Sequence, residues 1–302
     1  MNWITGMQRA IDYIETHLTE EIDYEAVARE SLSSSYHFQR VFGILCGYTL
    51  GEYIRNRRLT LAGLELQAEN AKVIDVALKY GYESPDSFAK AFKAFHGILP
   101  SQARSDSRML KSFSRLTVKF SLEGGSMMNY RIETKPAMVL TGYKRHFSGT
   151  PADRDEQEGN FYMETRANQY ILHGLSCDYD TQYNVMTDFS DEGYDFYIAS
   201  DVPQGMRERM DKYMGEDAKR FEFIEIPEQL YLVCETERAV FPTELQHDLR
   251  RKAVSEWLPS TDYELADAPE ISVLHWYWDP KNPAVKYDRY TELWLPIAKK
   301  GE

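Results

Sequence analysis

The chain has 302 residues, 43% of them hydrophobic, which is enough for two compact cores. Its three Cys residues lie far apart without a CxxC pair, so neither a disulfide framework nor a metal or redox site is expected. No stretch approaches the roughly 20 apolar residues that span a bilayer, and the first residues lack the apolar run of a signal peptide. We therefore expect a cytoplasmic protein with no metal, no cofactor and no membrane partner.

The formal net charge of −13 is unevenly distributed. Residues 1–110 hold 12 of the 35 basic and 14 of the 48 acidic side chains, which leaves 23 basic against 34 acidic on the remainder. Nucleic acids favour basic surfaces because their phosphates are negative. Long-range attraction to DNA is therefore weak, and any DNA binding must use local basic clusters.

The N-terminal third shows the periodicity of three helices. Apolar residues at three- and four-residue spacing predict the first one, which carries Met7, Ile11, Ile14 and Leu18. Asp23 is typical of the N-cap of a second helix, and Ser34 of a third that buries Phe38, Val41 and Phe42. Two short helices joined by a tight turn form the helix-turn-helix pattern.

The same pattern returns 50 residues later. The recurring pairs are Ser34 and Ser84, Phe38 and Phe88, Phe42 and Phe92, and Gly47 and Gly97. Pro85 suits the first position of a helix, and Gly81 suits the left-handed end of the preceding one. Residues 51–66 between the copies predict one helix of about 24 Å. Such a connector can hold two helix-turn-helix units at a spacing that suits adjacent major grooves.

The stretches SSSYHFQRVF, GYTLGEYIRNRRLTLA and IDVALKYGYESPDSFAKAFKAFHGILPSQAR resemble the AraC family of regulators over about residues 5–104. The resemblance implies an all-α domain, assigned to residues 1–108, with two helix-turn-helix units. It also implies duplex DNA and RNA polymerase as partners. One departure is Leu32 in the first turn, where many relatives have Gly.

The helical faces single out the side chains that would reach DNA. On the first recognition helix they are Ser35, Tyr36, Gln39 and Arg40, and on the second they are Asp86, Ser87 and Lys90. Gln and Arg can bond to adenine and guanine edges, and Asp can accept from cytosine or repel phosphate. Arg57 is a candidate phosphate contact. The resemblance implies, however, that at least one of Arg55, Arg57 and Arg58 holds the connecting helix in place.

Residues 109–127 predict a linker, since helical periodicity ends before it and Gly124 and Gly125 lie near its end. Its segment LTVKFSL alternates like a strand, which leaves open whether part of it joins the next sheet. In residues 128–302, the order strands, helix, strands occurs twice. This order predicts a multidomain protein whose second domain is an α+β fold built from a duplicated strand-helix-strand unit.

The segments EIPEQLYLVCE, SEWLPSTDYE, APEIS and RYTELWLPI resemble the GyrI-like effector-binding domains. In RYTELWLPI, a period of two places Tyr290, Glu292 and Trp294 on one strand face. A carboxylate between aromatic rings suits an organic cation, because charge pairing and cation-π attraction act together. The resemblance also implies that the pocket Glu is Glu292, and relatives commonly have a further Glu at the position of Ser272.

Three more aromatic residues are candidate pocket walls: Trp257, Tyr231 and Trp276. The alternative for Glu292 is a solvated charge on an edge strand. The alternative for the three aromatic residues is the hydrophobic core.

These features predict a sequence-specific DNA-binding transcription regulator that senses a small cationic or amphipathic molecule. No catalysis is expected, because the sequence holds no GxSxG, no HExxH and no Cys/His pair. Two alternatives stay open: hydrolysis of small electrophilic compounds, and inhibition of a protein such as gyrase by binding. A ligand that shifts the melting temperature without turnover would favour sensing over both.

Overall fold

The computed structural model describes residues 3–67, 71–103, 110–118, 128–277, 279 and 281–300. The chain divides into two compact units, residues 1–39 with 49–122 (the helical unit) and residues 40–48 with 123–302 (the sheet unit). Within the described ranges, no helix is long and apolar enough to cross a membrane.

The N-terminal third is helical throughout. Its helices are α1 (Trp3–Thr16), α2 (Tyr24–Ser31), α3 (Ser35–Cys46), α4 (Leu50–Gln67), α5 (Val73–Lys79) and α6 (Pro85–His96), followed by a 3-10 turn (Pro100–Gln102). The predicted N-caps are confirmed, since side chains of Asp23, Ser34 and Ser84 accept backbone N–H groups at 2.9, 3.3 and 3.2 Å. The connecting helix α4 spans 18 residues, close to the predicted range.

An aromatic-rich cluster stabilises α4, α5 and α6. In this cluster, Phe88 and Phe92 are fully buried against Leu59, Val76 and Ala77. Helices this short are marginal in isolation, so burial of their apolar faces supplies most of their stability.

The first turn keeps its left-handed geometry without glycine. Leu32 ends α2 at φ 57° and ψ 43°, and Gly81 follows α5 at φ 81°. Their bonds also correspond, because Ser33 N donates to the Ala28 carbonyl as Tyr82 N donates to that of Ala77. Leu32 therefore corresponds to Gly81 at an offset of 49, whereas the recognition helices repeat at 50.

We expect Leu32→Gly to raise the free energy of unfolding of the helical unit by about 0.5 to 1 kcal/mol. A left-handed conformation strains an L-residue but not Gly, and the Leu32 side chain is 70% exposed, so little packing is lost. Thermal unfolding measures the change. The matched control is Leu64→Gly in α4, an exposed Leu with helical geometry, which should lose about 1 kcal/mol. Equal losses in both variants would contradict the assignment of strain.

The described part of the predicted linker lies along the helical unit. Phe113 N donates to Thr60 Oγ1 at 2.9 Å, Leu116 N to the Tyr53 hydroxyl at 3.2 Å, and Val118 N to Gln8 Oε1 at 2.9 Å. Residues 116–118 of LTVKFSL thus bind side chains of α1 and α4 and do not extend a sheet, and 119–122 lie outside the described residues.

The second unit combines a large sheet with short helices. Its strands are β1 (Tyr130–Lys135), β2 (Met138–Phe147), β3 (Thr181–Ser190), β4 (Gly193–Ser200), β5 (Glu222–Ile226), β6 (Gln229–Glu235), β7 (Tyr263–Leu265), β8 (Glu270–His275) and β9 (Tyr290–Lys299). Its α-helices are α7 (Pro151–Glu164), α8 (Arg166–Ser176), α9 (Gln204–Arg207), α10 (Met210–Met214) and α11 (Thr243–Lys252). A π-helical turn (Ala253–Trp257) and 3-10 turns (Gly215–Arg220, Leu258–Ser260 and Pro283–Asp288) complete the unit.

The strand order is that of a duplicated unit. The antiparallel sheet runs β1-β6-β9-β8-β3-β4-β2-β5, with the short β7 added beside β9. The strands β1, β2, β3 and β4 of the first half correspond to β5, β6, β8 and β9 of the second half. If each strand is exchanged with its counterpart, the strand order stays the same when it is read from the opposite edge of the sheet. Each edge strand pairs with a strand of the other half of the domain: β1 of the first half pairs with β6 of the second, and β5 of the second half pairs with β2 of the first.

The two faces of the sheet bury different clusters. On one face, aromatic residues of β2 and β4 pack against α7, as in the contacts of Phe147 and Phe196 with Phe161. The other face carries Glu292 and Trp294 of β9 with Val233 and Ile271, and we call it the Glu292 face. Its buried cluster consists of strand residues within the described part of the chain.

Candidate functional site

The N-terminal third presents two recognition helices, α3 and α6. Ser35, Tyr36 and Gln39 lie on α3, and Asp86, Ser87 and Lys90 are exposed on α6. Arg40 also lies on α3, but its Nη2 atom donates to Oε2 of the fully buried Glu270 at 2.6 Å, and only 10% of its side chain is exposed. The prediction of a DNA-contacting Arg40 is therefore wrong, because its guanidinium is held by Glu270 within the sheet unit. The Ser87 hydroxyl donates to the Ser84 carbonyl at 2.8 Å, so it also takes part in the helix cap. The amide of Gln39 donates to Ser35 Oγ at 3.2 Å, which orients one candidate reading group through another.

Arg57 does not lie where a phosphate contact needs it. Its Nε and Nη2 atoms bind the two carboxylate oxygens of Glu15 at 2.8 and 2.9 Å, and Nη1 donates to the Phe113 carbonyl at 2.6 Å. Only 11% of its side chain is exposed. The prediction of a DNA-contacting Arg57 is therefore wrong, because these bonds engage all three of its nitrogens within the helical unit.

Burial opposes ionisation of Glu15, but hydrogen bonds from Arg57 and Tyr53 hold the pKa of this carboxyl below its usual value. The hydroxyl of Tyr53 donates to Glu15 Oε1 at 2.7 Å. The result is an ionised carboxylate between α1 and α4 with both oxygens bonded. Arg57 thus joins α1, α4 and the segment of residues 110–118.

The two neighbouring arginines of α4, Arg58 and Arg55, differ in their surroundings: one binds within the helical unit and the other is exposed to solvent. Arg58 donates to the carbonyls of Leu18 and Glu20 at 2.8 and 2.6 Å, so it ties α4 to the end of α1. Arg55 is exposed. Arg58 fits the structural role that the family resemblance implied, and Arg55 is the one of the three that presents its side chain to solvent.

The Glu292 face brings together four of the six predicted pocket residues. Tyr290, Glu292 and Trp294 alternate along β9, and Tyr231 lies on the same face because it pairs with Pro296. The rings of Tyr231 and Trp294 are 5.9 Å apart. The indole N–H of Trp294 donates to Glu292 Oε2 at 2.8 Å, so the carboxylate and the ring form one unit.

Charged groups of the chain already contact this site. Arg131 of β1 donates to Glu292 Oε1 at 3.1 Å, and Lys135 of the same strand lies 4.2 Å from the centre of the Trp294 ring. The guanidinium of Arg238 stacks 3.5 Å from the centre of the Tyr290 ring. Only 13% of the Glu292 side chain is exposed. Glu292 is therefore not the solvated edge charge of the alternative interpretation.

His275 completes the surroundings of Glu292. Its ring stacks on Tyr290 at 4.1 Å, and its Nε2 atom lies 4.0 Å from Glu292 Oε1. Burial lowers the pKa of His275 below its usual value, although the nearby Glu292 carboxylate acts in the opposite direction. Among the described residues this Nε2 atom has no hydrogen-bond partner.

Comparisons with known proteins assign both parts of the chain. A family model for integron-associated effector binding proteins matches residues 131–297, and one for a helix-turn-helix domain matches residues 27–106. The transcriptional activator AarP of Providencia stuartii is 49% identical over 92 residues, 30% of this chain and 68% of its own length. The regulatory protein SoxS of Salmonella typhimurium is 36% identical over 98 residues, 32% of this chain and 92% of its own length.

The chain belongs to the AraC family and carries an effector-binding domain of the integron-associated, GyrI-like type. It is a DNA-binding transcription regulator with a small-molecule-binding domain. Among solved structures, SAV2435 bound to tetraphenylphosphonium covers 57% of the regulator and 94% of its own chain, with 17% identity and a TM-score of 0.42. So distant a likeness carries no argument about the ligand.

Two predicted pocket residues of the regulator lie elsewhere. Trp257 is buried in the π-helical turn, where its ring stacks on Tyr263 and meets Tyr130 edge-on. Tyr130 pairs with Cys234, which faces away from Glu292. Trp276 follows β8, and the guanidinium of Arg289 lies 4.9 Å from its ring. Ser272 also faces the helices, where it bonds to Gln246 of α11.

Two features were missed by reasoning from sequence. Lys93 is exposed on α6 one turn after Lys90, and the spacing of the two lysines in SFAKAFK was the available signal. Arg131 and Lys135 reach the Glu292 face from a strand about 160 residues away in sequence, for which no local pattern gives a signal. No cluster suited to a metal ion occurs in the part of the chain that the structure describes.

Proposed function

We propose that the regulator reads duplex DNA with α3 and α6 and senses a small organic cation on the Glu292 face. The observation that carries the cation assignment is the set of contacts at β9. There the carboxylate of Glu292 and the rings of Tyr290 and Trp294 each hold a positively charged group. A site built from one carboxylate and aromatic faces suits lipophilic cations, which gain from both.

The contacts of Glu292 support sensing over hydrolysis. One carboxylate oxygen accepts from Arg131 and the other from Trp294, an arrangement that stabilises the anion and leaves it poorly placed as a base for water. An effector changes transcription only if it binds the active conformation more tightly than the inactive one. In the proposed function, this difference alters promoter binding or recruitment of RNA polymerase.

The direct test is calorimetric titration of the full chain with tetraphenylphosphonium, a lipophilic cation without hydrogen-bond donors. We expect saturable binding and a change in affinity for a duplex selected from a random pool. Turnover of an electrophilic ester, with no cation binding, would favour the hydrolase instead. Cation binding that leaves both DNA affinity and transcription unchanged would contradict sensing.

We expect Gln39→Ala to weaken binding to the selected duplex by about 1 to 3 kcal/mol, with the loss concentrated at one base pair. The physical reason is that a bidentate contact of Gln39 with adenine reads one position. Lys93→Ala should instead weaken selected and random duplexes alike, because a lysine at this place in α6 would meet phosphate. Gel-shift titrations of both duplexes at two salt concentrations measure this.

Arg220→Ala in the sheet unit is the charge-matched control for Lys93→Ala, since it also removes an exposed positive charge. Equal losses for Gln39→Ala on selected and random duplexes would make Gln39 a backbone contact.

A further inference from the structure

We propose that Arg131 and Lys135 of β1 are internal occupants of the cation site, which an effector must displace and which therefore set its affinity. This inference rests on the proposed function, because it specifies how the same face discriminates among cations. It concerns two residues that belong to a different strand from Glu292.

The edge strand β1 is placed to deliver these groups. It pairs with β6, and β6 pairs with β9, so Arg131, Val233 and Trp294 form one row across three strands. The alternation of β1 then puts Glu133 and Lys135 on the same face as Arg131. Among the described strands, β1 has a partner on one side only.

Arg131 is surrounded by carboxylates. Its three nitrogens lie 3.0 Å from Glu133, 3.1 Å from Glu235 and 3.1 Å from Glu292. Burial acts against the charged guanidinium, but these bonds to Glu133 and Glu292 raise the pKa of Arg131 above its usual value. The side chain is nevertheless 43% exposed, so it can leave Glu292 and remain solvated.

Lys135 occupies the aromatic part of the site. Its ammonium group covers the Trp294 ring at 4.2 Å and pairs with Glu133 at 3.0 Å, with 14% of the side chain exposed. A ligand cation cannot use the same face of that ring while Lys135 lies there. The ring and the carboxylate thus each have their own competitor on β1.

The charges on this part of the face balance. Glu133, Glu235 and Glu292 supply three negative charges, and the chain's own cations, Arg131, Lys135 and Arg238, supply three positive ones. A bound cation adds a fourth positive charge unless one of these side chains moves out to solvent. The Arg131 side chain is partly exposed, and ion pairs of that kind are weak, so its displacement costs little. A lipophilic cation gains more attraction from the aromatic rings than a hydrated ammonium group does.

The test replaces each occupant with an uncharged side chain of similar length. Tetraphenylphosphonium is titrated by calorimetry into the full-length wild type, Arg131→Met and Lys135→Met, with melting curves to check folding. We expect the affinity to rise about tenfold in each variant, because one competing charge is gone and one contact is vacated. Arg145→Met on the opposite face carries the same change of net charge and should leave the affinity within about twofold.

The outcomes separate the two proposals. Unchanged or lower affinity in both Met variants, with normal binding by the wild type, overturns the occupant role alone. An equal rise in Arg145→Met also overturns it, since the effect would be that of overall charge. Binding by Arg131→Met but not by the wild type supports it. Absence of binding in the wild type and in both Met variants overturns the cation site and this inference with it.

Discussion

Arg57→Ala is expected to lower the free energy of unfolding of the helical unit by about 3 to 5 kcal/mol. Removing one partner leaves the other charge buried, and only 9% of the Glu15 side chain is exposed. The substitution also removes the donor to the Phe113 carbonyl, which is part of the hold on residues 110–118. Chemical denaturation followed by far-UV circular dichroism measures the loss.

A matched control lies two residues away on the same helix. Arg55→Ala removes the same atoms from an exposed position, and we expect a change within about 0.5 kcal/mol. The pair Glu15→Gln with Arg57→Met should recover much of the loss, because it leaves no unpaired charge in the site. A loss below about 1 kcal/mol in Arg57→Ala would show that the pair is not stabilising the unit.

The pH dependence of the wild type follows from the same pair. Because the pKa of Glu15 is lowered on folding, its contribution to stability is fully present above the unfolded value, near 4.3. This contribution is lost as pH falls through the lower pKa of the folded state. In Arg57→Ala that acid-dependent part of the stability should be reduced. The hydrogen bonds of Arg57 to Glu15 explain why this arginine, which resembles a phosphate contact in the sequence, stabilises the fold instead.

Local chemistry made the helical unit predictable. Asp23, Ser34 and Ser84 cap their helices through atoms two or three residues away, so the signal and its effect lie in the same short stretch. The left-handed turn at Leu32 was harder to predict, because the usual sign of such a turn is a glycine. Its geometry became clear only from the bonds that it shares with Gly81.

Contacts between distant residues set the limit of prediction. The alternating pattern of residues 116–118 resembles a strand, but their N–H groups bind Tyr53 and Gln8, more than 60 positions earlier. In the sheet, the exchange of β1 and β5 between the two halves cannot be derived from either half alone. The sequence therefore predicts the alternation that groups Tyr290, Glu292 and Trp294, but not the cations that contact them.

Glu292→Gln is expected to weaken tetraphenylphosphonium binding by roughly ten- to a hundredfold, or about 1.5 to 3 kcal/mol. The amide keeps the shape of the side chain, and its oxygen can still accept from the Trp294 indole N–H. Arg131 keeps Glu133 and Glu235 as partners, so the fold should be undisturbed. The substitution therefore removes the charge that a bound cation needs while the aromatic rings stay in place.

The control for Glu292→Gln is Glu222→Gln on β5, an exposed carboxylate at the other edge of the sheet with the same change of net charge. Its affinity for the cation should match that of the wild type within about twofold, and unliganded DNA binding should be unchanged in both variants.

The loss of affinity caused by Glu292→Gln also depends on Arg131. In Arg131→Met the carboxylate has lost its internal partner, so Glu292→Gln should cost more affinity there than in the wild-type background. Equal binding of the cation by wild type and Glu292→Gln would falsify the anchor role and leave the aromatic rings as the basis of recognition.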